Sequence, residues 1–203
     1  MNKYYYEGKT KENAIELALE TLKISVEDLI INDIEEKNSL LKKSVKIEVL
    51  NINEIVSYIK ETITDILKKM NVEANLEVRR REKSISITIF SDNNSILIGK
   101  NGKNIAALQL IIRQIVNSKL KESLSIILDV GNYKEKRAKN IEYLAKKLAR
   151  EAHKTKTEVT MDSMNSYERR IVHEVLADDK YVYTESIGEE PNRKVVIKLK
   201  EEK

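Results

Sequence analysis

The amino-acid sequence predicts an α+β protein made of three small units. Along the 203 residues, segments with the alternating pattern of a β-strand are interspersed with segments that have the period of an amphipathic helix. A turn bracketed by Gly99 and Gly102 interrupts the helical pattern near the middle of the chain. The short breaks at 51–53 and 131–132 contain no proline-rich or serine-rich linker, so we expect closely spaced units. The predicted units are residues 1–52, 53–131 and 132–203.

The composition indicates a globular protein with a highly charged surface, because 41% of the residues are hydrophobic and 34% are charged. No apolar run approaches the roughly 20 residues that span a bilayer, and the first residues lack the apolar core of a signal peptide, so we expect a cytoplasmic protein. The absence of cysteine excludes disulfides, cysteine-ligated iron–sulfur clusters and a thiol nucleophile. Because His153 and His173 are the only histidines, we expect neither a metal site nor a cofactor.

The first unit has the pattern of a βαββ fold. A strand is predicted over 3–7, and Thr10 can cap a helix whose apolar residues recur at helical spacing. Two further strands are predicted over 29–34 and 45–50. The first unit carries a net charge of −2, whereas each of the other two carries +3. It is therefore the least suited of the three to contact nucleic acid.

The second unit is predicted to follow the order αββααβ. A helix over 54–70 has one apolar face, and a later strand alternates Ile85, Ile87 and Ile89 with polar residues. After the glycine turn, a helix and a strand over 124–130 complete the order. The predicted buried positions are Ile55, Ile59, Ile63, Ile66 and Met70 in the first helix and Ile105, Leu108, Ile112, Ile115 and Val116 in the last.

The glycine turn consists of Gly99, Lys100, Asn101 and Gly102, and it leads into a helix through Lys103. Glycine accepts positive φ and has no Cβ to obstruct a ligand. The start of the following helix offers unpaired N–H groups that attract anions, and the two lysines add positive charge. A phosphate backbone is the ligand that this arrangement favours. An ordinary turn is the alternative, because two glycines three residues apart are common.

The neighbours of the glycine turn carry a family resemblance. With Leu97 and Ile98 before it and Ile105 three positions after it, the turn resembles the signature of KH domains, and the order of elements resembles the type II KH fold. The resemblance implies a loop that clamps about four nucleotides of single-stranded nucleic acid. Ile98 and Ile105 would then form the floor of an apolar groove under the bases. Their alternative role, as core residues, is compatible with this one.

The third unit is predicted to begin with a long helix over 133–154 that has one apolar and one basic face. A tyrosine among the positive charges suits a phosphate backbone with a base stacked on the ring. A solvated helix face is the alternative. The apolar face is Ala138, Ile141, Leu144, Ala145, Leu148 and Ala152. The candidate basic stripe is Lys136, Lys139, Tyr143, Lys146, Lys147, Arg150 and Lys154.

Arg169 and His173 are four residues apart on a helix predicted over 166–177, so they share one face. Within the sequence YERRIVH, the pair resembles the RxxxH signature of R-three-H domains, which implies binding of single-stranded nucleic acid. The local alternative is that His173 is hydrogen-bonded at the edge of the core and that Arg169 forms an ion pair. An unperturbed imidazole would gain its charge below about pH 6.5. The flanking strands are predicted over 157–161, 181–187 and 194–199.

The three units in this order resemble the bacterial Jag family, also called the KhpB or SpoIIIJ-associated family, over nearly the whole chain. The resemblance implies a cytoplasmic RNA-binding protein that acts as an RNA chaperone or post-transcriptional regulator linked to cell-envelope homeostasis and cell shape. It also implies a complex with a small single-KH protein of the KhpA type. One departure is the segment 38–44, which has no glycine where relatives carry a glycine-containing loop.

Two other functions stay open. The acidic first unit and the ability of KH domains to pair also suit a protein-interaction scaffold or a homodimer. Hydrolysis by Arg169 and His173 is the least favoured function, because the sequence offers no metal cluster, no nucleophile with its base and no paired carboxylates. We therefore expect no enzyme activity.

Overall fold

A computed structural model describes residues 1–39, 42–81 and 84–200. The chain divides into two compact units, Met1–Gly131 and Asn132–Lys203. In these described residues, three sheets of three strands each are packed against helices, two sheets in the first unit and one in the second. The α+β class and the order of the elements predicted from the sequence are therefore confirmed.

The first sheet is built from β1 (Tyr4–Gly8), β2 (Leu29–Ser39) and β3 (Lys42–Asn51), with α1 (Lys11–Leu22) packed on it. β3 lies in the centre and pairs with both neighbours in antiparallel fashion. The Thr10 side chain caps α1 by accepting the N–H of Asn13 at 3.3 Å. The predicted βαββ order is confirmed, whereas the tip of the glycine-free segment, residues 40 and 41, lies outside the described residues.

The second sheet has the predicted KH order. Its strands are β4 (Asn75–Arg81), β5 (Ser84–Phe90) and β6 (Ser125–Val130), and its helices are α2 (Ile52–Lys69), α3 (Asn94–Ile98) and α4 (Lys103–Asn117). β5 pairs with β4 in antiparallel and with β6 in parallel fashion. A parallel pair needs a crossover connection, and α3 and α4 supply it. Ile85, Ile87 and Ile89 are buried against the helices, as their alternation predicts.

Two predicted core positions of the first KH helix differ from the observed ones. Met70 is exposed because α2 ends at Lys69 and Met70 is only its C-cap, and Ile66 is half-buried. Leu67, one turn after Ile63, takes the buried position instead. In α4, Ile105, Ile112 and Val116 are buried, while Leu108 and Ile115 are half-buried.

No linker separates the first sheet from the KH elements, because β3 ends at Asn51 and α2 begins at Ile52. Leu50, the last inward-facing residue of β3, belongs to the apolar core that α2 and the second sheet share. Asp28, ahead of β2, forms an ion pair with Arg80 of β4 at 2.5 Å. The first two sheets therefore form one packed unit.

Asn32 makes a polar connection between the two sheets. It is the extra residue of a β-bulge in β2, where the pairing with β3 shifts between Ile31 and Asp33. The buried Asn32 side chain accepts the backbone N–H of Lys121, in the loop before β6, at 2.7 Å. Its amide group donates to Glu48 of β3 at 2.5 Å. The bulge thus directs one side chain of the first sheet to the backbone of the KH elements.

The second unit consists of α5 (Tyr133–Thr155), β7 (Val159–Thr160), α6 (Ser166–Val175), β8 (Val182–Ile187) and β9 (Lys194–Leu199). β9 is the central strand and pairs with β7 and β8 in antiparallel fashion. The long helix begins at the predicted residue. Its buried residues are Ile141, Ala145, Ala149 and Ala152. Leu144, predicted to be buried, is exposed because it points about 100° away from Ala145 around the helix axis.

We predict that Asn32→Leu destabilises the first unit by about 1–3 kcal/mol, because the N–H of Lys121 and the Glu48 carboxylate both lose a hydrogen-bond partner at a part-buried site. Chemical denaturation followed by circular dichroism measures this loss. The matched control is Asn75→Leu, an exposed position on β4, which should change the free energy of unfolding by less than about 0.5 kcal/mol. Equal effects of the two substitutions would contradict a structural role for the Asn32 contact.

Candidate nucleic-acid interface

The glycine turn adopts a backbone conformation that requires its glycines. Gly99 has φ 67° and ψ −178°, a region that is open essentially to glycine alone. Asn101 and Gly102 follow with φ values of 54° and 76°, in the left-handed region. Asparagine is one of the few other residues that tolerate this region. Gly99 is therefore required for this turn, and the left-handed conformation at Gly102 favours glycine there.

Asn104, in the first turn of α4, braces the glycine turn. Its side-chain amide donates to the backbone carbonyl of Ile96 in α3 at 2.8 Å. The same side chain fills the space next to Gly99, where an added Cβ would lie only 2.5 Å from its Cγ. Because this contact connects the residues before and after the turn, it fixes the entry into α4. Asn104 was not predicted as part of the site, because nothing in its spacing along the sequence marks it.

The turn presents positive charge to solvent. Lys100 and Lys103 are exposed, and Asn101 is half-exposed. Among the described residues, no side chain caps α4 at Gly102 and no acidic residue lies in its first turn. The N–H groups of Gly102 and Lys103 already donate to the carbonyls of Gly99 and Lys100, so the positive charge comes from the two lysines and the positive end of the helix dipole. This geometry suits a phosphate group.

The two predicted groove residues differ in position. Ile105 is only 4% exposed and lies in the core of the first unit. Ile98, the last residue of α3, is half-buried and packs against that core. Ile105 therefore serves chiefly as a core residue, and Ile98 keeps the surface that a base could contact.

The basic stripe on α5 lies on the exposed face of the helix. Its lysines and arginine are exposed, and the Tyr143 side chain is 68% exposed. Lys139 forms an ion pair with Glu135 at 2.6 Å, which raises the pKa of the lysine and lowers the pKa of the glutamate. This contact neutralises one member of the stripe. Within the described residues, no carboxylate is paired with Lys146, Lys147 or Arg150.

Arg169 and His173 share one face of α6, as predicted, and this face is turned toward β8. The His173 ring nitrogens lie 2.6 Å from the Thr184 hydroxyl and 2.8 Å from the Ser186 hydroxyl. In a neutral imidazole one nitrogen donates and the other accepts, and hydroxyl groups can serve both. Burial, and secondarily the charge of Arg169, lower the pKa of His173 below its ordinary value. The imidazole is therefore neutral at neutral pH.

The Arg169 guanidinium is held by the hairpin that connects β8 and β9. It donates to the Glu190 carboxylate at 2.7 Å and makes a longer contact, 3.5 Å, with the Ser186 hydroxyl. The arginine side chain is 11% exposed, whereas Glu190 is 57% exposed. Both residues of the RxxxH pair thus have partners within the chain, and a carboxylate occupies the place that a phosphate would take.

The N-terminus of α6 is fixed by a capping box that the sequence analysis missed. The Asn165 side chain accepts the N–H of Glu168 at 2.9 Å, and the Glu168 carboxylate accepts the N–H of Asn165 at 3.0 Å. The second oxygen of Glu168 pairs with Arg137 of α5 at 2.8 Å. These contacts set the position of Arg169 and His173 relative to α5. The sequence signal was present, because asparagine followed three residues later by glutamate is a known helix start.

A metal cluster and a membrane-spanning helix are both absent from the part of the chain that the structure describes. There, no cluster of three or more histidine, aspartate or glutamate side chains could hold a metal ion. In the same residues, no helix has both the length and the apolar composition to cross a bilayer.

The chain matches three family models in succession. The Jag N-terminus model covers residues 6–50, the KH domain model of KhpA and KhpB covers residues 56–128, and the R-three-H domain model covers residues 139–199. The glycine turn lies within the second match, and the third contains the RxxxH pair and the basic stripe from Lys139 onward.

Several curated proteins are similar to the chain. The RNA-binding protein KhpB of Clostridium symbiosum is 35% identical over 96% of this chain and 90% of its own length. The RNA-binding protein KhpB of Bacillus subtilis is 26% identical over 95% of this chain and 96% of its own length. That of Lactiplantibacillus plantarum is 33% identical over 66% of this chain and 42% of its own length.

We predict that acid destabilises the second unit through His173. Because the pKa of His173 is lower in the folded state than in the unfolded chain, its contribution to stability is complete above about pH 6.5 and is lost as the pH falls through the folded pKa. Denaturation at pH 7.5 and at lower pH values, for the parent and for His173→Gln, measures this contribution. The parent should lose more stability on acidification than the variant does, and parallel pH profiles would contradict the burial of a neutral imidazole.

Proposed function

The chain belongs to the KhpB family of RNA-binding proteins, and on this basis we propose that it binds single-stranded RNA through the turn Gly99–Gly102 and Lys103. The observation that carries the proposal is the backbone of the turn. Because Gly99 has no Cβ, the backbone of the turn can pass close to a ligand. The start of α4, which has no side-chain cap, lies next to the turn. Lys100 and Lys103 add the charge that phosphates attract.

The basic stripe on α5 is the second RNA contact in this proposal. It combines three unpaired cations, Lys146, Lys147 and Arg150, with the exposed ring of Tyr143. Such a combination binds a backbone by charge and a base by stacking. Contacts of this kind depend on salt, so RNA affinity should fall with ionic strength.

Arg169 and His173 can contact RNA in this proposal only after a contact within the chain is broken. A phosphate can reach the Arg169 guanidinium only by replacing the Glu190 carboxylate, which is exposed and therefore weakly held. His173 is neutral at neutral pH and orders the same hairpin through Thr184 and Ser186. In the absence of RNA, the pair thus stabilises the second unit. It contacts RNA only when a phosphate replaces the Glu190 carboxylate at Arg169.

The cellular role that we propose is the one that the family resemblance implies. We propose a cytoplasmic RNA chaperone or post-transcriptional regulator linked to cell-envelope homeostasis and cell shape, without catalytic activity. The relatives named as RNA-binding proteins support the RNA-binding part of this role, and the family resemblance alone suggests the rest.

An exposed apolar surface on α4 favours a second candidate function, that of a protein-interaction scaffold. α4 exposes an apolar stripe opposite its buried face, and Leu110 in that stripe is 56% exposed. The stripe is Ala106, Ala107, Leu110 and Ile111, with the spacing of one helix face. We propose that this apolar stripe docks a small single-KH protein of the KhpA type, since an exposed apolar helix face marks a protein contact. Because α4 begins at the glycine turn, such a partner would lie next to bound RNA.

The RNA proposal predicts the effect of replacing Lys100 and Asn101 together with aspartate. Both glycines are kept and aspartate tolerates the left-handed conformation at position 101, so the turn can still form. Two carboxylates would then repel the phosphates, and a lysine contact would be lost. We expect affinity for single-stranded RNA, measured by fluorescence anisotropy, to fall about tenfold to hundredfold.

A matched control separates this effect from net charge. Lys11→Asp with Asn71→Asp makes the same charge change at exposed positions, and Asn71 also has positive φ. The control variant should bind RNA nearly as the parent does, and both variants should melt near the parent temperature. Parental affinity in the variant of the glycine turn would refute the proposed role of residues 99–103.

The partner proposal predicts that Leu110→Asp abolishes the complex with a KhpA-type protein, because it places a charge in an apolar contact. Analytical ultracentrifugation of the mixed and separate proteins measures the complex. Arg113→Asp, at an exposed position off the apolar stripe, serves as the control. Loss of a homodimer would assign the stripe to a second copy of the chain, and an intact complex would refute the proposed surface.

A further inference from the structure

The basic stripe of α5 ends at a pair of stacked rings. The imidazole of His153, in the last turn of α5, lies against the ring of Tyr181 just before β8, with ring centroids 3.9 Å apart and planes inclined by 21°. Tyr181 remains 54% exposed although one face of its ring is covered by the imidazole. An aromatic ring held by a neighbour and open to solvent is a preformed surface for stacking.

The stacked pair lies in line with the stripe. Lys139, Tyr143, Lys146, Arg150 and His153 are spaced by alternating steps of four and three residues, so they share one face of α5. At about 1.5 Å per residue, Tyr143 and His153 are roughly 15 Å apart along the helix. One continuous face thus has an aromatic ring at each end.

The cations between the two aromatic positions are free to bind a ligand. Lys146 and Arg150 lie on this face, Lys147 lies beside it, and no described carboxylate is paired with them. Asp179, the acid nearest to Tyr181 in the sequence, is occupied by accepting the N–H groups of Tyr181 and Val182. These hydrogen bonds hold the Asp179 carboxylate without neutralising it, so the positive charge of the face is concentrated between the two rings, at Lys146, Lys147 and Arg150.

We propose that this face of α5, together with Tyr181, is a base-stacking site for single-stranded RNA. One base stacks on Tyr143 and another on the open face of the Tyr181 ring, while Lys146, Lys147 and Arg150 contact the phosphates between them. Stacking on an aromatic ring tolerates any base, so the site holds RNA without reading its sequence. It is separate from Arg169 and His173, whose side chains are engaged by β8 and the hairpin. The inference rests on the proposed RNA-binding function and adds the residues of a second site.

Tyr181→Trp provides a direct test, because the chain has no tryptophan of its own. The new indole becomes the only one, and its fluorescence reports stacking. Titration of the full chain with a single-stranded oligoadenylate of about 20 nucleotides should quench this fluorescence at the same concentrations at which the RNA becomes bound. The matched control is Tyr167→Trp, an exposed position on α6 outside the stripe, whose fluorescence should stay nearly constant.

Affinity supplies an independent readout. Tyr181→Leu removes the ring and should weaken oligoadenylate binding by about fivefold to a hundredfold, as expected for one lost stacking contact. Tyr181→Phe keeps the ring and should bind as the parent does. Thermal unfolding of both variants shows whether the fold is intact.

The outcomes separate this inference from the proposed function. If the parent chain binds no oligoadenylate, the RNA-binding proposal fails and this site fails with it. If the parent binds but the indole at position 181 is not quenched and Tyr181→Leu keeps parental affinity, only the stacking site is refuted.

Discussion

The backbone at Gly99 is the constraint on which the proposed RNA site depends. Its φ and ψ values lie in a region that residues with a side chain do not adopt. Asn104 also fills the space that a Cβ at position 99 would need. The turn can therefore pass close to a ligand, and α4 can start without a capping side chain. Lys100 and Lys103 add charge, while Gly99 and Asn104 fix the position of the start of α4 beside them.

Patterns that are local in the sequence predicted most of the fold. The alternation of Ile85, Ile87 and Ile89 predicted a half-buried strand. The helical pattern of α5 predicted a helix that begins at Tyr133, which is the observed first residue. Such patterns succeed because one face of each element is buried against a common core. They fail at the ends and edges of elements. Met70 is exposed because α2 stops before it, and Leu144 is exposed because it lies at the edge of the buried face of α5.

Contacts between distant residues could not be predicted in this way. The bulge at Asn32 binds the backbone of Lys121, and Glu190 approaches Arg169 only because the hairpin folds over α6. Both depend on tertiary packing, which a single sequence does not display. The RxxxH spacing correctly placed Arg169 and His173 on one face, but it gave no sign that this face is turned toward β8. Lys100 and Lys103 of the glycine turn are open to solvent, so we propose the turn, rather than the RxxxH pair, as the primary RNA contact.

The most direct test of this claim is a titration of isotopically labelled protein with a short single-stranded RNA, followed by NMR at each backbone amide. The account predicts that the amides from Gly99 to Asn104 show the largest shift changes and that these changes saturate together with RNA binding. RNA binding that leaves these amides unshifted, while other parts of the chain respond, would contradict it.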